Sequence, residues 1–347
     1  MATENMTYRL RDVADKIETL HKNGITKGLY LGFENLHEKF SWKMKSTTYI
    51  YGSPFAGKSE LVFEIALNLS MFYGLKHAFY SPESGEAQDI YAELVSKYQQ
   101  KPFYKNQNNP ISDSERFAAQ AFIDEHFFII DPKFTDLSIE EFYKQVDEIE
   151  TKYETKINCT WCDPFNELKH DFSDDSGRQD LYIENRLGFI RRNAMAHDRH
   201  NVILTHCRDQ QYAQTKDGKR YYPAPSPREI AGGQAWYRKA MNMLCMWRPP
   251  KGLNDENGRP FAENEVHIMI HKYKPKGVGE LGTVKLFLDK ERNRYYEYFN
   301  DQVRFASNKR PAPPEDTISI PHRLNPNYRA DENDDEDDVL TQYKADF

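Results

Sequence analysis

Apolar residues Leu10, Val13, Ala14, Ile17 and Leu20 fall at offsets of 3, 4, 7 and 10 from the first of them, and Gly24 follows. That is the stripe of an amphipathic helix, closed by a glycine. From residue 27 to about 300 the pattern changes to β-rich runs alternating with helical ones. Strands are predicted at 47–51, 77–81, 127–130, 157–162, 201–205, 243–247, 267–271 and 283–288, and helices at 58–73, 88–99, 112–125, 138–154 and 178–197. Alternation of this kind predicts an α/β fold with a mostly parallel central sheet flanked by helices. After 300 the periodicity stops. Pro311, Pro313, Pro314, Pro321 and Pro326 break any regular element, and the run 331–338 is almost wholly acidic and repels itself. The expected organisation is an N-terminal helix and linker over 1–26, one catalytic domain over 27–300, a proline-rich linker over 301–330 and a disordered acidic tail over 331–347.

Composition narrows the setting. Of 347 residues, 39% are hydrophobic and 14% aromatic, with 22 Tyr and 21 Phe, enough to bury a sizeable core. No run approaches the roughly 18 apolar residues of a membrane helix, and the first ten residues lack an apolar signal core. Membrane insertion and secretion are therefore not expected. Four cysteines in a chain of this length form no disulfide framework and suit a reducing cytoplasm. The formal charge of −7 at first argues against a nucleic-acid partner. Its distribution removes the objection: residues 331–347 hold eight acidic side chains and one lysine, leaving 46 of each sign in the rest of the chain.

The chemistry begins at 49–61. Gly52-Ser53-Pro54-Phe55-Ala56-Gly57-Lys58-Ser59 follows a predicted strand, and Glu60 opens out into a predicted helix. Strand, glycine loop, Lys-Ser and helix together make a P-loop. Its backbone amides wrap phosphates, the helix N-terminus adds positive potential, Lys58 reaches the outer phosphates and the Ser59 hydroxyl ligates Mg²⁺.

Three later strands end in residues suited to act on that phosphate. Glu83 follows the strand at 77–81, where a carboxylate points into the crevice and orients the attacking water; an acidic residue ahead of the next helix is the plainer alternative. Asp163 closes the strand at 157–162, where a carboxylate holds the Mg²⁺ water shell, or else marks a surface turn at Asp-Pro. His206 closes the strand at 201–205, where an imidazole hydrogen-bonds the γ-phosphate, or else faces solvent. Cys159 and Cys162 have CxxC spacing, but residues three apart in a strand point to opposite faces and no second pair accompanies them. Buried thiols are the expectation, not a metal or redox site.

The ordered set Leu31-Gly-Phe-Glu-Asn-Leu36, the P-loop at 52–59, Tyr-Ser-Pro-Glu (80–83), Asp-Pro-Phe-Asn-Glu-Leu (163–168), Ile-Leu-Thr-His (203–206), Arg-Glu-Ile-Ala-Gly-Gly (228–233) and Lys-Tyr-Lys-Pro-Lys-Gly-x-Gly-Glu-x-Gly (272–282) resembles the RecA-like motor domain of hexameric replicative DNA helicases. The likeness is to the DnaB superfamily, and within it to the Twinkle and phage primase-helicase branch. It implies a RecA-like P-loop NTPase, a ring of six copies and ATP with Mg²⁺ at subunit interfaces. Lys58 and Ser59 would contact phosphate and metal, Glu83 would be the general base, Asp163 the metal-side carboxylate and His206 the sensor. The family's trans-acting Lys-x-Arg pair falls on Lys272 and Lys274. A lysine cannot grip phosphate in bidentate fashion, so Lys276 and Arg248 stand as substitutes.

The resemblance also implies that single-stranded DNA runs through the ring on the loops after the Asp163 and His206 strands, about 166–179 and 208–233. The second loop carries Arg208, Lys216, Lys219, Arg220 and Arg228, with Tyr212, Tyr221 and Tyr222 as stacking surfaces and Gly232 and Gly233 for close backbone approach. A solvated hairpin of mixed charge is the alternative. The first loop is acidic around 171–175. The tail ends in Phe347, and acidic tails closed by an aromatic residue resemble docking peptides for a DNA polymerase, primase or other replisome protein; a solubilising tail is the alternative. The reading is an ATP-dependent phage-type helicase that unwinds forked DNA. A RecA-like recombinase or annealing mediator, and an ATP-switched adaptor, are the others.

Overall fold

The structure is a computed structural model that describes residues 7–306, except 26, 134, 209–211, 215–217, 219, 222, 231, 256, 257, 276 and 278, and excepting the side chain at 174. The expected proline-rich linker beyond 306 and the acidic tail with Phe347 lie outside the described residues, as do Lys216, Lys219, Tyr222 and Lys276.

A short 3₁₀ turn, Leu10–Val13, leads into α1 (Ala14–Asn23), followed by α2 (Glu34–Lys39), β1 (Ser46–Gly52), α3 (Lys58–Tyr73), β2 (His77–Tyr80), α4 (Ala87–Gln99), α5 (Asp113–His126) and β3 (Phe127–Ile129). Next come α6 (Ile139–Lys152), β4 (Cys159–Cys162), α7 (Gln179–Ala196), β5 (His200–His206), the two-residue strands β6 (Ala213–Gln214) and β7 (Arg220–Tyr221), and α8 (Gly233–Lys239). The chain then runs through β8 (Asn242–Trp247), β9 (Glu265–Lys272), β10 (Gly282–Asp289), β11 (Arg294–Phe299) and β12 (Gln302–Phe305).

Ten strands form one sheet in the order β12-β11-β10-β9-β8-β1-β5-β4-β2-β3. From β3 to β8 every neighbouring pair is parallel, and from β8 to β12 every pair is antiparallel. Parallel strands need both faces covered, and the sequence supplies two cores. In β1, Ile50 points into a cluster with Leu61, Ile65, Leu69, Phe79 and Trp161, while Tyr49 and Tyr51 point into one with Phe142, Leu187, Ile203 and Trp236. The alternation is the period of two expected of a strand. Cys159 joins the first cluster and Cys162 the second, both fully buried, and burial pushes both thiols up out of the reactive range.

Helix starts follow local chemistry. Ser112 and Ser138 are N-caps whose hydroxyls accept from Glu115 and Glu141 amides, with the glutamates returning the bond to the serine amides. Each such capping box is worth about 1 kcal/mol. Four strands escaped the sequence pattern: the two-residue β6 and β7, and, in the main sheet, β11 and β12. The strands β11 and β12 form a hairpin whose two turn residues, Asn300 and Asp301, both have positive φ, and the pairing Phe299↔Gln302 closes it. Such a turn matches the twist of an antiparallel pair. Residues 302–305 therefore extend the sheet where a linker is expected from the prolines. The helix α1 has no buried residue, and its apolar stripe faces outward.

Candidate active site

Parallel strands bring their C-terminal ends to one edge, and β1, β5, β4 and β2 lie side by side there. Gly52 ends β1 against the carbonyl of Met246 so closely that a Cβ would collide with it. The loop then turns through Phe55 and Gly57, both at positive φ, into α3. This geometry aims the first amides of α3 at the mouth of the sheet.

Lys58 is buried at the start of α3. Its ammonium donates to the carbonyls of Gly52 at 3.2 Å and Ser53 at 3.1 Å, and to His206 Nδ1 at 3.4 Å. Burial pulls the ammonium down from its ordinary range, and the Asp163 and Glu83 charges pull it back up. Asp163, at the end of β4, is almost wholly buried, and burial raises its carboxyl above the usual range while a hydrogen bond with the Ser59 side chain and the charge of Lys58 oppose the shift. Ser81 Oγ donates to Asp163 Oδ2 at 3.3 Å. Hydroxyl and carboxylate oxygens in contact at a buried strand end are the hard ligand set that Mg²⁺ takes, with water filling the remaining positions. Ser59 and Asp163 are the residues that would hold it.

His206 Nε2 lies 3.2 Å from both Glu83 oxygens. An ammonium only donates, so Nδ1 is the acceptor of the Lys58 bond, and the ring proton belongs on Nε2, from which it reaches Glu83. Glu83 stands in a turn after β2, and the cap of α4 is made instead by Glu86 with Asp89. Lys58, Ser59, Glu83, Asp163 and His206 thus meet at one edge, although β1, β2, β4 and β5 are spread along the chain.

Beside the P-loop opens a cleft of about 350 Å³ lined by Ser53, Pro54, Phe55, Trp247, Arg248 and Lys290, among others. Phe55 is 95% exposed at its rim. Arg248, one of the substitutes for a trans-acting finger, lines this cleft next to its own P-loop. Lys272 is engaged elsewhere: its ammonium caps α8, donating to the carbonyls of Tyr237 and, at 3.2 Å, Arg238, and sits over the Tyr237 ring. Lys274 is exposed. Arg208, Arg220 and Arg228 are also exposed on the loop after β5. That loop closes on itself, with Cys207 bridging Ile230 and the Arg208 amide donating to Glu229 at 2.7 Å. Gly232 and Gly233 meet internal needs. A side chain at Gly232 would strike Ile183, and one at Gly233 would strike the carbonyls of Pro227 and Arg228.

Sequence reasoning found the strand-end residues but not the cleft wall at Trp247 and Lys290, because those positions carry no motif. Ser81 could have been read from its place between β2 and Glu83.

The fold and this strand-edge constellation define the class, a RecA-like P-loop NTPase fold. Within it the resemblance is to the ATPase domains of DnaB-like replicative helicases. One solved ATPase domain superposes with a TM-score of 0.64 at 15% identity, covering 83% of this chain and 98% of that one. A DnaB-like replicative helicase, solved with its interactions with primase in view, superposes with a TM-score of 0.63 at 18% identity, over 84% of this chain and 68% of that one. In sequence the chain is 25% identical over 295 residues to a Twinkle homolog protein, chloroplastic/mitochondrial, of Arabidopsis thaliana, covering 83% of this chain but 39% of that protein. No family model matches the sequence. No helix among the described residues is long and apolar enough to cross a membrane.

Proposed function

We propose that the chain is an ATP-dependent replicative DNA helicase of phage type, which assembles as a hexameric ring, moves along single-stranded DNA and separates duplex at a fork. The observation that carries the reading is the meeting of Lys58, Ser59, Asp163, Glu83 and His206 at one strand edge. Such a set has a phosphate grip, a metal ligand pair, a base and a group that touches both base and grip, which is more than nucleotide binding requires. In the reaction the triphosphate displaces the Gly52 and Ser53 carbonyls from Lys58. Glu83 orients and deprotonates the attacking water, and His206 bonds the γ-phosphate. Ser59 and Asp163 would hold Mg²⁺, which when bound would supply neutralising charge at the phosphates. The base and ribose occupy the cleft between Phe55 and Arg248. DNA contacts belong to Arg208, Arg220 and Arg228, together with Lys216 and Lys219. Among the described residues of the Lys-x-Lys pair, Lys274, exposed near the end of β9, is the one available to reach a neighbour's nucleotide, while Lys272 holds α8. The acidic tail ending in Phe347 recruits a polymerase, a primase or another replisome protein.

The test is unwinding of a forked DNA with ATP by the full chain, Lys58→Ala and Glu83→Gln, alongside particle images. Rings with ATP-dependent unwinding by the unmodified chain alone are expected. ATP hydrolysis stimulated by DNA without strand separation, or filaments in place of rings, would move the assignment to a recombinase or annealing mediator.

A further inference from the structure

Asn166 belongs to no part of the P-loop, yet it grips the strand that carries His206. It lies on the 3₁₀ turn Phe165–Glu167, three residues beyond Asp163. Its side-chain oxygen accepts from Thr205 Oγ1 at 3.1 Å and from the backbone amide of His206 at 3.2 Å. An amide oxygen has two lone pairs, and both are used on consecutive residues of β5. Thr205 is buried, so its hydroxyl needs this partner. The same turn is tied to β2 through Tyr80, whose hydroxyl donates to the Glu167 carbonyl at 3.1 Å.

The end of β5 is therefore held on two sides. Asn166 holds it from the loop after β4. One residue further on, Cys207 and Arg208 pair with Ile230 and Glu229 at the return of the loop after β5. Between these grips the His206 ring reaches Glu83 and Lys58. A shift of the turn at 165–167 is delivered to the end of β5 through the Asn166 side chain, whose oxygen holds the Thr205 hydroxyl and the His206 amide.

We infer that Asn166 is a positioning residue that anchors the end of β5 against the turn after β4, so that nucleic acid on the loop after β5 changes how His206 divides its contacts between Glu83 and phosphate. The inference rests on the DNA-motor reading. Its chemical content is an acceptor requirement: the residue at 166 must offer an oxygen to both Thr205 and His206.

The experiment measures steady-state ATP hydrolysis with and without single-stranded oligonucleotide for the full chain, Asn166→Ala and Asn166→Asp. Aspartate keeps the acceptor and alanine removes it. The expected result for Asn166→Ala is a KM for ATP within about twofold of the unmodified chain and a kcat in the presence of DNA lowered about tenfold, equivalent to roughly 1.4 kcal/mol of barrier. Asn166→Asp should recover most of the stimulated rate. Full DNA stimulation in Asn166→Ala overturns the coupling while leaving the motor reading intact. So does a folded Asn166→Asp that has lost stimulation. An unmodified chain that DNA never stimulates removes the motor reading, and the coupling falls with it.

Discussion

In the resting site His206 Nε2 lies 3.2 Å from each carboxylate oxygen of Glu83, while its Nδ1 faces the Lys58 ammonium at 3.4 Å. The group proposed to touch phosphate is thus bonded to the group proposed to activate water. Lys58 and Glu83 are both partnered within the protein, and in the proposed reaction nucleotide entry replaces those bonds with bonds to phosphate.

Replacing Glu83 by glutamine keeps a hydrogen-bond acceptor for His206 but removes the base. Hydrolysis should fall by about 10²–10⁴ in kcat, the usual contribution of a positioned general base, with nucleotide affinity nearly unchanged. Lys58→Ala should instead weaken nucleotide binding, since Lys58 carries the positive charge buried within the P-loop. Equilibrium titration with a fluorescent ATP analogue, beside phosphate release, separates the two. Equal loss of affinity in both variants would contradict the division of labour.

Behind the P-loop helix, Arg294 of β11 donates to both oxygens of Glu64 at 2.8 and 3.0 Å and to Asn68 Oδ1 at 2.8 Å, with Arg294 and Glu64 both fully buried. Arg294→Met strips the Glu64 carboxylate of its hydrogen-bonded counter-charge and should cost about 3–5 kcal/mol in urea unfolding. The double variant Glu64→Leu/Arg294→Met removes both charges and should regain most of that loss. A single variant as stable as the unmodified chain would show that the buried Glu64 carboxylate does not depend on Arg294.

This pair also shows where sequence reading stops. The helix α3 has the boundaries read from the pattern because the P-loop and Gly74 bracket it locally. The strands β11 and β12 were not read, since a charged residue such as Arg294 looks like surface until its partner, 230 positions away, is in place. Glu297 is buried for a similar reason, capping the amides of Glu34 and Asn35 at the start of α2. At the site, strand ends were legible because a parallel sheet gathers them at one edge. The bonds of Asn166, the engagement of Lys272 with α8 and the position of Arg248 beside its own P-loop depend on how elements far apart in sequence pack. Spacing does not encode that packing.

His200 supplies a pH test. Its ring is fully buried and stacked on Trp42 at 3.7 Å, Nδ1 faces the Lys43 carbonyl at 2.6 Å, and Nε2 pairs with Thr48 Oγ1 at 2.8 Å. The carbonyl only accepts, so Nδ1 carries the proton of a neutral ring. Burial lowers its pKa from the ordinary 6.5 to about 3. Below pH 6.5 the unfolded chain takes up a proton that the folded chain refuses, so stability falls as pH drops through the window from about 6.5 to about 3. His37, lowered by burial to about 4, adds in the same direction. Urea midpoints at pH 7 and pH 5 should differ less in His200→Gln than in the unmodified chain, and an equal difference would assign the acid sensitivity to other groups.

The last prediction concerns α1. Leu10, Ile17 and Leu20 are 74%, 42% and 53% exposed, and α1 buries none of its residues against the chain. An amphipathic helix with an open apolar stripe gains little from its own domain, and in the proposed ring an adjacent copy would cover that stripe. Ile17→Asp/Leu20→Asp should therefore leave the unfolding free energy of the isolated chain within about 0.5 kcal/mol, as surface substitutions usually do. In the ring the same change puts two carboxylates into an apolar contact and should shift sedimentation from the hexamer towards single subunits, with loss of any ATP hydrolysis that needs a neighbour's residue. An unshifted hexamer would place the subunit contact elsewhere, and a large fall in monomer stability would mean that α1 packs on its own domain in solution.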